Sequence, residues 1–298
     1  MAESNDLFKD SVLALVAVML WGLAFPLIQE GLESFGPVTL GFLRFALASA
    51  VLMGFVLLRY PMKDIKSTAV REWKPLLALG LLYVTIPNIA QNIALQSGTS
   101  SIASVIQSSG PVMTLAFAVI LLGERLTTMK GLGTVIAMSG TVLLVTSGGI
   151  SLKNDDFVAN LLILASAATY GLAWVTAKRM LERNRPMLII GLSVAIGTIF
   201  LGVATPFEEN GVSHVSAEAI VNLAVLGIFC AGLSSVLYLR SLEKREVSRM
   251  AFLIYLMPVF ASLFAWMLRG EEVEMWTAVC GVIIVMGIIV ANQSGRRT

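Results

Sequence analysis

Aromatic residues lie four positions apart in two apolar segments of this chain. Trp21 and Phe25 form one pair, and Tyr170 and Trp174 form the other. Residues four apart share one face of a helix, and Trp21 lies roughly 16 Å into its segment at about 1.5 Å per residue. Anchoring tryptophans lie at the ends of membrane spans. We therefore expect these four rings to line a central cavity and contact a solute by apolar and cation–π interactions; the alternative is packing beside neighbouring glycines.

Amide side chains follow one another in the third apolar segment. Asn88, Gln91 and Asn92 lie there between Thr85 and Gln96. An amide that faced lipid would leave its hydrogen bonds unsatisfied at high cost, so this stripe must face protein or water. Hydrogen bonds between helices, at about 0.6 kcal/mol each, explain part of such a stripe, and lining of a cavity is the other interpretation.

Three further polar or aromatic residues extend this candidate set. Gln107 lies on the fourth segment, ahead of a Gly-Pro step. Tyr238 and Tyr255 lie in the corresponding region of the second half of the chain. We predict that these three residues bind a substrate together with the three amides, the four rings and one arginine.

Arg44 is the ionisable residue that lies deep inside an apolar segment, about 10 Å below the end of that segment at 1.5 Å per residue. Buried charges in membrane spans are costly and are usually paired or cavity-facing. Two interpretations stay open. Arg44 attracts the carboxylate or phosphate of a substrate, or it forms an ion pair with Glu30 or Glu33.

Glu124 and Glu271 each follow a glycine at the end of an apolar segment. We expect each carboxylate to accept backbone N–H groups at the start of the next helix, where it also suits the helix dipole. No carboxylate lies at the centre of a span, so the sequence does not support proton coupling. The glycines of the fifth and tenth segments predict close helix packing; they are Gly131, Gly133, Gly140, Gly281 and Gly287.

The composition places these residues in a membrane protein. Of 298 residues, 57% are hydrophobic and 13% are charged, with a mean hydropathy of +0.84, whereas soluble domains carry about 25% charged residues. A spanning helix needs about 20 apolar residues. On that basis we predict an all-α integral membrane protein with ten spans, at residues 11–30, 37–59, 75–96, 99–122, 128–147, 157–177, 187–206, 217–239, 249–268 and 275–293.

The basic residues predict the orientation of these spans, because Lys and Arg are retained on the cytoplasmic side. With the N-terminus inside, eighteen Lys and Arg residues fall in cytoplasmic segments, and Lys153 and Arg269 fall outside. Both termini are therefore predicted to be cytoplasmic.

The two halves of the chain repeat each other. Residues 111–124, PVMTLAFAVILLGE, return as residues 258–271, PVFASLFAWMLRGE, and WGLAF at 21–25 returns as YGLAW at 170–174. Each copy holds five spans, and because five is odd the second copy enters the membrane from the opposite side. We predict two inverted five-helix repeats, residues 1–150 and 151–298. Inverted repeats are typical of secondary transporters.

The repeated motifs resemble those of EamA-type transporters of the drug/metabolite transporter superfamily. The resemblance covers almost the whole chain and includes Trp21-Gly22, LRF at 43–45, LLGERLT at 121–127, and the second-half segment 255–271 ahead of Gly281 and Gly287. It implies a ten-helix carrier, and many members export amino acids and other small metabolites. The second copy has Ser193 at the position of Arg44, so the halves are not chemically equivalent.

We therefore predict a secondary transporter that works by alternating access in a prokaryotic plasma membrane, most simply an exporter of amino acids or related amphipathic metabolites. A sugar-phosphate or nucleotide-sugar carrier and a multidrug exporter are the alternatives within transport, and an intramembrane enzyme is the alternative outside it. Two cysteines in apolar runs and a single histidine predict neither a metal nor a cofactor. The expected partners are a small-molecule substrate and the lipid bilayer, not nucleic acid. A monomer and a homodimer are both compatible with the sequence.

Overall fold

A computed structural model of the chain describes residues 2–97, 107, 109–146, 156–209, 211–213, 215–269 and 275–292. Helices account for most of these residues. They are α1 (Ala2–Ser34), α2 (Pro37–Arg59), α3 (Met62–Arg71), α4 (residues 73–97), α5 (Gly110–Leu122), α6 (Thr128–Thr146), α7 (Asp156–Leu181), α8 (Pro186–Ala204), α9 (Ala217–Leu242), α10 (residues 247–269) and α11 (Met275–Asn292).

Three of these helices change their winding along their length. Helix α4 is π-helical at Gly80–Thr85, and α9 is π-helical at Leu226–Leu233. Helix α10 passes through a 3₁₀ segment at Phe252–Leu256. A π turn inserts an extra residue into the helix, so the side chains on its two sides do not keep one common face.

Proline and glycine mark several helix ends. Pro37 and Pro186 begin α2 and α8, where the missing N–H costs nothing and the fixed φ suits the helix. Helix α5 ends at Leu122 and is followed by Gly123, whose φ of 70° lies in the left-handed region, as is common after the last helical residue.

Seven helices in the described part of the chain are long and apolar enough to cross a membrane. They are Phe8–Ser34, Pro37–Arg59, Trp73–Gln96, Leu161–Leu181, Pro186–Phe207, Ala217–Leu242 and Val247–Leu268. Two shorter apolar helices, Gly110–Leu122 and Val279–Ala291, accompany them. Each of the ten predicted segments coincides with a helix wherever it is described. Helix α3 was not predicted, and it lies between two spans.

The helices of the two halves pack across each other. Helix α1 packs against α9 and α10, whereas α7 packs against α4 and α5. Helices α2 and α8 form another pair, and α6 and α11 form a fourth contact between the halves. The main core lies among these crossing helices. They also surround a central cavity.

Glycines allow α6 and α11 to approach each other closely. Close packing was predicted for five glycines, and three of them show it. A Cβ atom on Gly133 would lie 2.4 Å from the backbone nitrogen of Ala291, and one on Gly287 would lie 2.4 Å from that of Ala137. Gly140 is similarly close to Ile284. The prediction is wrong for Gly131, which has open space around it, and Gly281 makes only ordinary contacts.

Glu124 caps a different helix from the one expected. Its carboxylate accepts the backbone N–H of Val247 at 2.8 Å and the hydroxyl of Ser248. These residues begin α10, not the next helix α6, because the fold brings the end of α5 beside the start of α10. Glu208 makes the same kind of cap at the start of α2, accepting the N–H groups of Val38 and Thr39 at 2.8 Å each. Glu271 lies outside the described residues.

Candidate functional site

A cavity lies at the centre of the molecule, between helices of both halves. Its empty volume, which includes open solvent at its mouth, is about 660 Å³. Helices α1, α2, α4 and α5 line it from the first half, and α7 and α10 from the second. A site formed in this way can change shape when the halves move relative to each other.

Stacked aromatic rings form one wall of the cavity. The rings of Trp21 and Trp174 stack with their centroids 5.6 Å apart and their planes at 30°. Tyr238 lies beneath both, at 5.0 Å from Trp21 and 4.6 Å from Trp174. Tyr83 contacts the ring of Trp174 at 4.8 Å. Contacts of this kind contribute about 0.5–1.5 kcal/mol per pair beyond the burial of their area, so the rings stabilise one another in the wall.

Glycines beside these rings bring two other helices close. A Cβ on Gly22, next to Trp21, would lie 2.6 Å from the Cβ of Phe260 on α10. A Cβ on Gly171, next to Tyr170, would lie 3.0 Å from the hydroxyl of Thr114 on α5. The packing role and the cavity role that the sequence left open are therefore combined in the same short segments.

A hydrogen bond joins one tyrosine of the wall to the second half. The Tyr83 hydroxyl pairs with the hydroxyl of Ser235 on α9. The side chain of Asn88, next to this wall, donates to the backbone carbonyls of Tyr83 at 3.3 Å and Val84 at 2.7 Å.

Arg44, Gln91 and Gln107 supply the polar side of the cavity. Arg44 is only 6% exposed, and its guanidinium carbon lies 5.1 Å from the centroid of the Phe45 ring. It forms none of the four ion pairs within the described part of the chain. The Nε of Arg44 and the Oε1 of Gln107 are both buried without a hydrogen-bond partner. A buried unpaired donor and acceptor are costly, and both residues line the cavity.

Seven of the eleven predicted site residues line the cavity. They are Trp21, Phe25, Arg44, Gln91, Gln107, Tyr170 and Trp174. Tyr238 and Asn88 lie behind the wall and support it. Asn92 lies outside the lining and donates to the carbonyl of Pro37 on α2 at 2.8 Å. Tyr255 is fully buried in another cluster, with Phe252 and Cys280.

Several residues that line the cavity were not predicted from the sequence, and Tyr83 is the most prominent of them. Tyr83 is an aromatic residue well inside a predicted span, which is the same signal that identified Trp21. Phe45 and Thr114 also line the cavity, as do Ile254 and Met257 of α10. Aliphatic residues give no such signal, because every span is rich in them.

One end of the molecule is closed by polar contacts between helix ends. Arg245 forms an ion pair with Asp10 of α1 at 2.6 Å, and Lys178 donates to the carbonyl of Leu242 at 2.5 Å. Lys130, only 4% exposed, contacts Glu246 at 3.0 Å beside the Glu124 cap. The cavity lies toward the opposite end of α1, where its lining extends from position 21 to position 28.

Comparison with known proteins identifies related chains over nearly the full length. An uncharacterized transporter of Archaeoglobus fulgidus is 26% identical over 288 residues, covering 94% of this chain and 96% of that protein. A protein of Streptantibioticus cattleyicolor named a probable terminal-alkyne amino-acid exporter is 24% identical, covering 97% and 96%. The uncharacterized inner membrane transporter YedA of Escherichia coli is 25% identical, covering 91% and 87%.

A solved crystal structure shares the fold, with a TM-score of 0.79 and 21% identity, covering 97% of this chain and 98% of the other. The model of the EamA-like transporter family matches this chain twice, at residues 10–146 and 157–293. These matches, together with the apolar helices, identify a multi-pass protein of the cell membrane. The chain belongs to the EamA-like transporter family.

Proposed function

We propose that this transporter is a secondary carrier that exports amino acids or closely related amphipathic metabolites by alternating access. One observation supports it most directly: helices of both halves surround a cavity that has an aromatic wall and a buried arginine with an unpaired donor. Such a cavity binds and releases a solute, and the described residues supply no arrangement for converting it chemically.

The chemistry of the lining supports a carboxylate with an apolar body. The Arg44 guanidinium attracts the carboxylate of a solute, and the unpaired Gln107 oxygen accepts from the ammonium group of the same solute. The rings of Trp21 and Trp174 cover an apolar side chain. A sugar phosphate carries more negative charge, and Arg44 is the one cation among the described lining residues. The name of the Streptantibioticus relative is consistent with this choice.

Alternating access needs the ten-span inverted arrangement that we propose, with residues 1–150 and 151–298 as the repeats and both termini in the cytoplasm. The double match of the family model supports it. So do the π-helical segments of α4 and α9 and the crossed packing of α1 and α7. In this topology, the contacts around Lys130 and Arg245 close the cytoplasmic side. They must break for the cavity to open inward.

The proposal is tested with purified protein in liposomes, by exchange of labelled solutes from a panel of amino acids, nucleosides, sugar phosphates and cationic drugs. We expect a carboxylate amino acid with an apolar side chain to exchange. Arg44→Gln removes a charge-assisted hydrogen bond of about 1.5–3 kcal/mol and is expected to lower apparent affinity roughly 10- to 100-fold. Arg44→Lys keeps the charge and serves as the matched variant.

The proposal fails if no solute of the panel moves or raises the melting temperature of the protein. If only sugar phosphates or only cationic drugs exchange, the proposed substrate is wrong and one of the two alternatives replaces it. The carrier mechanism would still hold. Equal affinity of wild type and Arg44→Gln for the exchanged carboxylate would remove Arg44 from the site.

A further inference from the structure

The short helix α3 lies at a membrane surface. It begins three residues after α2 ends at Arg59, and α4 begins at Trp73, two residues after α3 ends. Because α2 and α4 are both long and apolar enough to cross the bilayer, their facing ends mark one surface, and α3 connects them there. Trp73 is 56% exposed, in the position of an interfacial anchor.

Helix α3 has one face on the protein and another that is exposed. Ile65, 6% exposed, packs with Val56 of α2 and Leu188 of α8. Met62, Lys66 and Val70 follow one another at four-residue spacing and are exposed. The exposed fractions of Met62 and Val70 are 52% and 75%. Apolar residues that alternate with a lysine are typical of helices lying in the membrane interface, where the lysine stem stays in the apolar layer and its ammonium reaches the headgroups.

Exposed cations surround this face, and one of them, Lys74, lies 5.4 Å from the centroid of the Trp73 ring. Arg59, Lys63, Lys66 and Lys74 are exposed and form none of the ion pairs within the described residues. Asp64 is the one exposed acid on α3. Arg71, at the C-terminal end of α3, already has partners. It donates to Glu72 at 3.1 Å and to Asn184 at 2.6 Å.

We propose that α3 lies in the headgroup layer and binds the phosphate groups of anionic phospholipids through Lys63 and Lys66. The link between α8 and α9, residues 208–216, has no Lys or Arg and contains Glu208 and Glu209. The anionic-lipid surface is therefore built on one side of the molecule. An amphipathic basic helix next to spans fits a lipid surface in both its charge and its exposed apolar residues.

Native mass spectrometry of the purified full-length protein tests this proposal. It compares how much phosphatidylglycerol and how much phosphatidylcholine the protein retains. Wild type should retain phosphatidylglycerol preferentially. The double variant Lys63→Gln/Lys66→Gln should lose that preference by at least tenfold, since each lysine near an anionic surface contributes roughly fivefold. Lys63→Arg/Lys66→Arg should retain it. Neither lysine is buried or ion-paired, so the melting temperature in phosphatidylcholine should stay at the wild-type value.

A matched control separates α3 from basic charge in general. Arg240→Gln/Lys244→Gln removes two exposed cations, one in the last turn of α9 and one just after it, and its phosphatidylglycerol preference should stay within twofold of wild type. Equal retention of both lipids by wild type would overturn the proposal. So would equal losses in the two glutamine variants, because the effect would then come from net charge and not from the amphipathic helix.

Discussion

At the scale of single residues, the aromatic rings combine support and recognition. Trp21 and Trp174 come from helices of opposite halves and touch each other at the centre of the cavity wall. A ring in this position stabilises the closed packing of the halves and offers a flat apolar surface to a solute. Their mid-span positions made them predictable, because an interfacial anchor would lie near a helix end.

We expect Trp174→Phe to weaken binding of the transported amino acid about three- to tenfold. The smaller ring keeps an apolar wall but loses part of contacts that contribute about 0.5–1.5 kcal/mol per aromatic pair. Ligand-dependent shifts of the melting temperature, titrated with the transported solute, measure the change. Trp266→Phe is the matched control, because Trp266 is 50% exposed on α10 and lies outside the cavity lining. An equal loss in both variants would contradict a specific role for Trp174.

The residues that sequence reasoning misplaced are buried against other parts of the protein. Asn88, Gln91 and Asn92 were predicted to line the cavity together, and they share the regular helix Ile86–Ser97. Gln91 alone of the three reaches the cavity, whereas Asn88 and Asn92 donate to the backbone carbonyls of Val84 and Pro37. Tyr255 lies within a 3₁₀ segment and packs in another cluster. A buried amide or phenol reads the same in the sequence whether its surroundings are protein or a cavity.

At the scale of elements, the closest helix pair depends on a few glycines. Gly133→Ala is expected to destabilise the protein by about 1–3 kcal/mol, as overpacking does, because the new methyl group would meet the backbone of Ala291. Gly131→Ala is the matched control on the same helix. It meets nothing within 4 Å and should be neutral or slightly stabilising, since alanine is the better helix former. Thermal unfolding in one detergent compares them, and equal destabilisation would contradict this account of α6 and α11.

The joint between α3 and α4 predicts a dependence of stability on pH. Asn184 donates to the Glu72 carboxylate at 3.2 Å and Arg71 donates at 3.1 Å. These bonds lower the pKa of Glu72 below its ordinary value of 4.5. The ionised carboxylate therefore stabilises the folded state above pH 4.5, and this contribution is lost as the pH falls through the lower pKa of the folded state.

Melting temperatures of wild type and Glu72→Gln, measured from neutral pH downward, check this dependence. The two proteins should differ at neutral pH and converge below pH 4.5. Glu209→Gln, at an exposed carboxylate of another link, should follow wild type throughout. A constant difference between wild type and Glu72→Gln across the range would show that ionisation of Glu72 contributes nothing.

At the scale of the whole molecule, the sequence predicted helix positions well because apolar length and basic links are strong signals. It could not predict which helix ends meet. Glu124 caps α10 across a separation of 123 residues, and Glu208 caps α2 across 170. Such distant contacts follow from how the halves cross, and no local pattern in the chain contains that information. The two caps lie at α2 and α10, which in the proposed topology start at opposite membrane surfaces.

This topology predicts that the links after α2 and after α8 lie on opposite sides of the membrane. Single cysteines at Ser67 and Glu209, both exposed, report on the two links. The native Cys230 and Cys280 are buried, so they contribute little background to labelling. On intact cells, a membrane-impermeant maleimide should label Glu209→Cys and should reach Ser67→Cys only after the membrane is opened. If both positions react from the same side, the two halves do not have opposite orientations, and the exchange of conformations between equivalent halves would lose its structural basis.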